Sequence, residues 1–129
     1  MKKLKLQSDT INIVMYHYVR PIKGSKYPGI KGLEVSEFEN QINFFLKKAN
    51  ILSEEQFINS IKEKKISKKP SVLLTFDDGY KDHLNYVLPT LVKNKISGVF
   101  YPPQKVIENK ILLDVNKIHF ILEKQNDSK

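Results

Sequence analysis

One stretch of sequence decides the fold of this chain: Val72-Leu73-Leu74-Thr75-Phe76-Asp77-Asp78-Gly79-Tyr80. Residues 72–76 are apolar or β-branched without polar alternation, which is typical of a strand that is covered on both faces of a parallel sheet. The run then ends abruptly at two adjacent carboxylates and a glycine. Carboxylates at the mouth of a buried strand are costly unless a metal ion or a proton transfer requires them there.

Two further strands are predicted around this stretch. Residues 11–16 are apolar and β-branched and end at His17, and residues 97–101 form a third run that two prolines terminate. Helical patterns separate the strands, which indicates an α/β fold with parallel strands. Only about three parallel strands with flanking helices are predicted, whereas a closed (β/α) barrel needs about 200 residues or more.

Helices are predicted from capping boxes at Ser36 and Ser53 and from apolar residues at helical spacing. A later helical pattern contains Pro89, which should kink or restart the helix, and a last helix is predicted from Asp114. The positions expected to face inward in these four helices are Phe38, Ile42, Phe45, Leu46, Ala49, Phe57, Ile58, Ile61, Leu84, Val87, Leu88, Leu91, Val92, Val115, Ile118, His119 and Leu122.

Candidate site residues follow each predicted strand. Active sites of parallel α/β folds gather at the carboxyl ends of the strands, where this sequence places His17, Asp77, Asp78 and Tyr101. One carboxylate could hold a divalent cation while the other takes a proton from water. Spacing alone equally favours a structural interpretation, in which the acids begin a turn and cap the next helix.

Composition narrows the class of protein. The chain has 129 residues, the size of one domain, and contains no cysteine, so disulfides and thiolate metal sites are excluded. Its net charge of +8 comes from lysines, with Arg20 as the only arginine, which argues against a dedicated nucleic-acid module. Residues 1–9 begin with lysines but lack the apolar run of a signal peptide, and no stretch is long enough for a membrane span, so a cytoplasmic location is expected.

The segment Thr75-Phe76-Asp77-Asp78-Gly79-Tyr80 resembles the first motif of the polysaccharide deacetylase family, the NodB-like carbohydrate esterase family 4. Residues 15–19 and 97–101 resemble the neighbouring strand ends of the same family, and the resemblance extends roughly over residues 11–122. It implies that residues 1–129 are the N-terminal part of a NodB homology domain, an incomplete distorted (β/α) barrel.

The resemblance also implies a reaction and a cofactor. Members remove acetyl groups from N-acetylated amino sugars with a divalent metal, most often zinc, so an N-acetylated carbohydrate is the expected substrate. The first aspartate of the motif is the general base, which corresponds to Asp77, and the second is a metal ligand, which corresponds to Asp78. His17, Tyr80 and Tyr101 are predicted to contact substrate, although each could equally be structural.

The sequence departs from the family pattern at the metal ligands. The family supplies two further ligands from a His-x-x-x-His motif, but the histidines here are His17, His83 and His119, and none has that spacing. His83 has two interpretations, as a residue that orients the aspartates or as a helix-surface or capping residue. His119 is expected to be a partly buried core histidine. The sequence therefore predicts a deacetylase truncated before its histidine motif, with self-association or a complementing C-terminal half as its expected partner.

Two rival hypotheses remain at this point. The chain could be an inactive, degenerate deacetylase-like fragment that acts only as a binding or structural module, since an open sheet exposes an edge and an apolar face. A metal–nucleotide-sugar site of a glycosyltransferase is a weaker alternative, because the sequence has no Asp-x-Asp pattern.

Overall fold

The computed structural model describes residues 6–126, in which a parallel sheet is flanked by helices. A π-helical turn at His83–Val87 leads directly into the third helix. In chain order the elements are β1 (Ile11–Tyr16), α1 (Val35–Lys48), β2 (Asn50–Ile51), α2 (Glu54–Lys62), β3 (Ser71–Asp77), α3 (Leu88–Lys93), β4 (Val99–Tyr101), α4 (Gln104–Asn109) and α5 (Asp114–Asn126).

Strand β3 is the centre of the sheet, and all of its pairings are parallel. β1 pairs with it along its length, from Ile11 opposite Ser71 to Tyr16 opposite Phe76. On the other side, β2 pairs with the start of β3 and β4 with its end. The predicted open α/β fold is confirmed, but the sheet has four strands within the described residues rather than three. The missed strand, β2, has two residues and is too short to show a strand period.

The core lies between the sheet and α1. Phe38, Ile42 and Phe45 of α1 are fully buried, as the helical spacing predicts, and they belong to the same cluster as Val72 and Phe76 of β3. Leu46 was also expected to face inward, but it is 39% exposed. One face of β3 therefore rests on a helix, and this packing fixes the direction in which the strand end points.

The two predicted capping boxes have different outcomes. Ser53 forms its box: its hydroxyl accepts the Gln56 N–H at 3.2 Å, and the Gln56 side chain accepts the Ser53 N–H at 2.9 Å. At α1 the prediction is wrong, because the helix begins at Val35 and Ser36 lies inside its first turn. The N-cap residue Glu34 makes no capping bond and instead accepts two backbone N–H groups of the preceding loop.

Several helical faces predicted to be buried are exposed. α2 has no buried residue, and α3 buries Leu91 while Val92 is 67% exposed. α5 turns the polar residues Asn116 and Glu123 inward. The other residues wrongly expected inside are Ile58, Ile61, Leu84, Leu88, Val115, Ile118, His119 and Leu122. Pro89 was expected to kink or restart its helix, but residues 81–93 are continuously helical, and the irregularity is the π-helical turn at His83–Val87 just before the proline.

The prediction about the start of the chain falls partly on residues 1–5, which lie outside the described residues. In the part that the structure describes, no helix has the length and apolarity needed to cross a membrane. The cytoplasmic location and the absence of nucleic-acid binding stay predictions.

Candidate active site

A polar row crosses the sheet where three strands end. The register sets Tyr16 opposite Phe76 and Asp77 opposite Tyr101, so His17, Asp77 and Tyr101 occupy neighbouring positions on β1, β3 and β4. The predicted convergence of these residues is therefore present in the fold. Their chemical roles stay predictions.

An aromatic row supports the polar row from one residue earlier in each strand. The rings of Tyr16 and Phe76 stack with centroids 5.2 Å apart, and those of Phe76 and Phe100 stack at 4.9 Å. Side chains alternate between the two faces of a strand, so these rings pack on the α1 side and the polar row turns to the opposite side. Stacked rings from three strands give the polar row a rigid base.

The backbone at the two aspartates changes direction within two residues. Asp77 is the last residue of β3, whereas Asp78 and Gly79 both have positive φ, 70° and 63°. A non-glycine residue in this region is uncommon, although aspartate tolerates it better than most residues. At Gly79 a Cβ atom would lie 2.8 Å from the Cβ of Pro102, so this position also requires close approach of two chain segments.

Asp77 faces His17 across the strand ends. The His17 Nε2 atom lies 3.9 Å from the Asp77 Oδ2 atom, which is an ion-pair distance when the imidazole is protonated. The side chains are 45% and 27% exposed, respectively, so both reach solvent. The carboxylate of Asp77 and the imidazole of His17 are therefore both accessible to water.

His83 holds the His17 loop from behind. Its ring is 4% exposed, and its Nε2 atom lies 2.8 Å from the main-chain oxygen of His17. A ring nitrogen facing a carbonyl must be the donor, so Nε2 carries the proton. His83 therefore lies neither on the helix surface nor against the aspartates. Its ring instead donates a hydrogen bond to the main-chain carbonyl of His17.

Asp78 is connected through Tyr80 to the buried residues Tyr18 and Asn116. The Tyr80 hydroxyl donates to its Oδ2 atom at 2.5 Å, and the Tyr80 ring stacks on Tyr18 with centroids 4.4 Å apart. The Asn116 side-chain amide donates to both tyrosine hydroxyls. Burial, followed by the hydrogen bond to Asp78, raises the pKa of Tyr80 well above its ordinary value, so the phenol stays protonated.

Arg20 joins the loop after β1 to the start of the helical segment after β3. Its Nε atom donates to the Asp82 Oδ2 atom at 2.5 Å, and its guanidinium lies 4.8 Å from the centre of the Tyr18 ring. Both charged side chains are largely shielded from solvent. Sequence reasoning treated Arg20 only as a count against nucleic-acid binding and missed both this pair and Asn116, because their partners are distant in sequence.

The residues that the structure describes do not by themselves form the predicted metal site. Within residues 6–126 no three His, Cys, Asp or Glu side chains are grouped so that they could hold a metal ion. Zinc normally needs three or four protein ligands. The donors within residues 6–126 therefore do not fit a zinc ion by themselves, and the role of Asp78 as a ligand stays a prediction.

One cavity lies apart from the strand-end row. It has a volume of about 380 Å³ and runs beside α5, between residues 29–31 and the helix. His119 lines it, and the Nδ1 atom of this histidine lies 3.4 Å from the Tyr18 hydroxyl. The prediction that His119 is a partly buried core residue is wrong, because its side chain is exposed.

Comparisons with known proteins identify the family that this chain resembles. The family model "Polysaccharide deacetylase" matches residues 64–123, which include β3 and both aspartates. The predicted resemblance to the NodB-like polysaccharide deacetylase family is thereby confirmed. A search of curated protein sequences finds no significant match.

Solved structures of deacetylases share the fold. A de-N-acetylase from Aggregatibacter actinomycetemcomitans is 25% identical over 71% of this chain and 37% of its own, with a TM-score of 0.60. IcaB from Ammonifex degensii is 25% identical over 77% of this chain and 40% of its own, with a TM-score of 0.63. The deacetylase PplD from Streptococcus pyogenes, 20% identical, matches 92% of this chain and 54% of its own with a TM-score of 0.68, and shows the fold alone. This chain thus spans between a third and just over half of these proteins.

Proposed function

We propose that this protein is a metal-dependent hydrolase that removes N-acetyl groups from an amino sugar or polysaccharide, and so cleaves carbon–nitrogen bonds other than peptide bonds. The observation that carries the proposal is the pair Asp77–Asp78 at the carboxyl end of the central strand, within the matched region of the family model. The similarity to a de-N-acetylase supports the same class of reaction.

Asp77 is proposed as the general base. It is partly exposed and its carboxylate lies 3.9 Å from the His17 imidazole, so it can accept the proton of a water molecule that attacks the acetyl carbonyl. As the C–N bond breaks, the amine nitrogen of the sugar takes up the proton that Asp77 accepted from water, and acetic acid leaves. Atoms balance, since one water and one acetamido group give one amine and one acetic acid.

Asp78 is proposed as one ligand of a divalent metal, zinc in the first place. A bound cation would supply Lewis-acid polarisation of the carbonyl. The described residues do not complete such a site, so further donors must come from outside the group that residues 6–126 bring together. A complementing polypeptide or a second copy of the chain are the partners that this proposal allows.

Substrate contacts are proposed at the rim of the row. Tyr101 is 55% exposed beside Asp77 and offers an aromatic face on which a sugar ring could stack. His17 is exposed enough to donate a hydrogen bond to the substrate. Tyr80 is the weakest of the three predicted contacts, because its ring is stacked on Tyr18 and its hydroxyl is held by Asp78 and Asn116.

A binding module without catalysis is the second candidate. It is favoured by the incomplete metal donor set among the described residues and by the exposed sheet face, where Ile13 and Met15 are 60% and 61% exposed. In that case the strand-end acids would be structural, and the apolar face would be the functional surface.

Acetate release separates the two candidates. The chain is incubated with N-acetylated amino-sugar oligomers, with added zinc and with a chelator, and acetate is quantified for the parent, Asp77→Asn and Asp78→Asn. Asp9→Asn is the matched control, because Asp9 is an exposed aspartate that also has positive φ, 53°. We expect metal-dependent release that falls at least a hundredfold in Asp77→Asn, a scale typical of general-base loss.

The two aspartate variants should also differ from each other. Asp78→Asn should weaken zinc binding in calorimetry, whereas Asp77→Asn should leave it largely unchanged. Acetate release equal to the parent in both variants would refute the assigned roles. No release under any metal condition would favour the binding module.

A further inference from the structure

The buried side chain of Asn116 joins two tyrosines that are far from it in sequence. It lies on α5 and is 2% exposed. Its Nδ2 atom donates to the Tyr18 hydroxyl at 2.9 Å and to the Tyr80 hydroxyl at 2.6 Å. An amide NH₂ group has two hydrogens, so both are used and each phenol oxygen is an acceptor.

This arrangement determines where the phenol proton of Tyr80 points. A hydroxyl that accepts from Asn116 must direct its own proton to another acceptor, and for Tyr80 that acceptor is the Asp78 Oδ2 atom at 2.5 Å. The Tyr18 hydroxyl lies 3.4 Å from the His119 Nδ1 atom. The rings of Tyr18 and Tyr80 are stacked and inclined by only 20°, so this packing restricts rotation of either ring.

Asp78 needs such a tether because its backbone leaves it outside the sheet. The residue has positive φ and is followed by a glycine that also has positive φ, so no strand pairing fixes its side chain. Within the described residues, the Asp78 carboxylate accepts a side-chain hydrogen bond from Tyr80. A carboxylate that must present one oxygen in a fixed direction benefits from a donor on the other oxygen.

We propose that Asn116 is a positioning residue that fixes the orientation of the Asp78 carboxylate through Tyr80. The inference rests on the proposed function for the role of Asp78 in the reaction, but the hydrogen-bond chain is a separate, measurable property. It also gives α5 a part in the site: the helix presents an amide, rather than an apolar residue, to the strand ends.

The sharpest test is to reverse the direction of the hydrogen bonds that connect Asn116, Tyr80 and Asp78. In Asn116→Asp the new carboxylate accepts from both phenols, so the Tyr80 proton turns away from Asp78. In Asn116→Ala the Tyr80 proton still reaches Asp78, but the ring loses its anchor. Tyr80→Phe removes the donor altogether, and Tyr18→Phe leaves the Asn116–Tyr80–Asp78 connection in place.

The readout is the ¹³Cγ resonance of Asp78 at one neutral pH, in protein labelled at the aspartate carboxyl carbons and assigned with Asp78→Asn. We expect Asn116→Asp to move this signal as far as Tyr80→Phe does, Asn116→Ala to move it part of the way, and Tyr18→Phe to leave it unmoved. Asn59→Ala, on an exposed position of α2, is the matched control. If Asn116→Asp does not fold, Asn116→Ala decides.

An Asp78 signal that is displaced by Tyr80→Phe but unmoved by the Asn116 variants overturns the proposal, and so does a signal unmoved by Tyr80→Phe. In the deacetylase assay, Asn116→Ala should lower kcat about tenfold with little change in KM, as expected for loss of one buried hydrogen bond. In the Tyr80→Phe background the same substitution should have no further effect, and an additive loss would contradict an action through Tyr80. If no variant or parent releases acetate, the proposed function fails while the resonance measurement still decides this inference.

Discussion

The two faces of the sheet differ sharply in how they are packed. On the α1 face, Phe38, Phe45 and Phe76 are fully buried in one cluster, whereas on the opposite face Ile13 and Met15 are more than half exposed. β1 contributes to both faces, since its Tyr16 is buried in the cluster on the α1 side while its Ile13 and Met15 are exposed, so hydrophobicity alone does not decide which side chains contribute to stability. The covered face fixes the positions of the strands, and the acids of the site are displayed at their ends on the other side.

The largest difference between the faces should appear on truncation of one large side chain on each. Phe38→Ala empties a fully buried position and should lower the free energy of unfolding by about 3–5 kcal/mol. Met15→Ala, on the exposed face, should change it by less than about 0.5 kcal/mol. Chemical denaturation of both variants measures the contrast. Equal losses would mean that the exposed face is covered in solution, for example by association of two chains.

A smaller effect is expected at Gly98, where β4 approaches the covered face. A Cβ atom there would lie 2.5 Å from the Phe76 ring and 3.2 Å from Leu91. Because the ring is fully buried and cannot move aside, Gly98→Ala should cost about 1–3 kcal/mol.

Gly24→Ala is the control for the Gly98 variant. Gly24 has open space around it and only a positive φ, so its replacement should cost about 1 kcal/mol from the backbone alone. A loss at Gly98 no larger than the loss at Gly24 would show that β4 is not seated against Phe76.

Tyr16 should make the covered face sensitive to alkali. Burial raises its pKa far above the ordinary value, so the phenol stays protonated in the folded chain while the unfolded chain ionises near pH 10. Stability is therefore fully present below about pH 10 and falls above it, by up to about 1.4 kcal/mol per pH unit for this group.

Tyr16→Phe tests this assignment. At pH 8 it should be less stable than the parent by about 1 kcal/mol, because it loses the 2.8 Å hydrogen bond to Gln41. The difference should shrink above pH 10, and Tyr101→Phe, at an exposed tyrosine, should not alter the pH profile. Urea denaturation at several pH values gives both comparisons, and parallel profiles for Tyr16→Phe and the parent would contradict the burial argument.

The sequence predicts the strand ends of the candidate site but not the hydrogen-bond network around Asn116. The apolar run before Asp77 has one structural solution, a strand buried on both sides, and the positions of His17 and Tyr101 beside it follow from parallel pairing. The network through Asn116 could not be found, because an asparagine in a helix is ordinarily a surface residue and nothing local marks its partners 36 and 98 positions away.

Helical spacing was also insufficient to decide burial. Apolar residues recur at helical spacing in α2 and α5 as well as in α1, but of these three helices only α1 buries them in the cluster against β3. A periodic pattern identifies a stripe, and contact with another element decides whether the stripe is buried. This is why Ile61 and Ile118 are exposed although their helical spacing predicts that they face the core.

The smallest effect, and the closest comparison, concerns the serines that begin the two capping boxes. Ser53 makes both bonds of its box at the start of α2, a helix with no buried residue, so Ser53→Ala should cost about 1 kcal/mol. Ser36→Ala should cost less than about 0.5 kcal/mol, because Ser36 lies within the first turn of α1, whose position depends on the buried Phe38.

Denaturation gives the total loss, and amide exchange in residues 54–57 locates it. Faster exchange there in Ser53→Ala, with unchanged exchange in α1 of Ser36→Ala, is expected, since a helix without tertiary packing depends on its cap. Equal losses for the two serines would mean that α1 also relies on local capping, and the contrast between packed and unpacked helices would not hold.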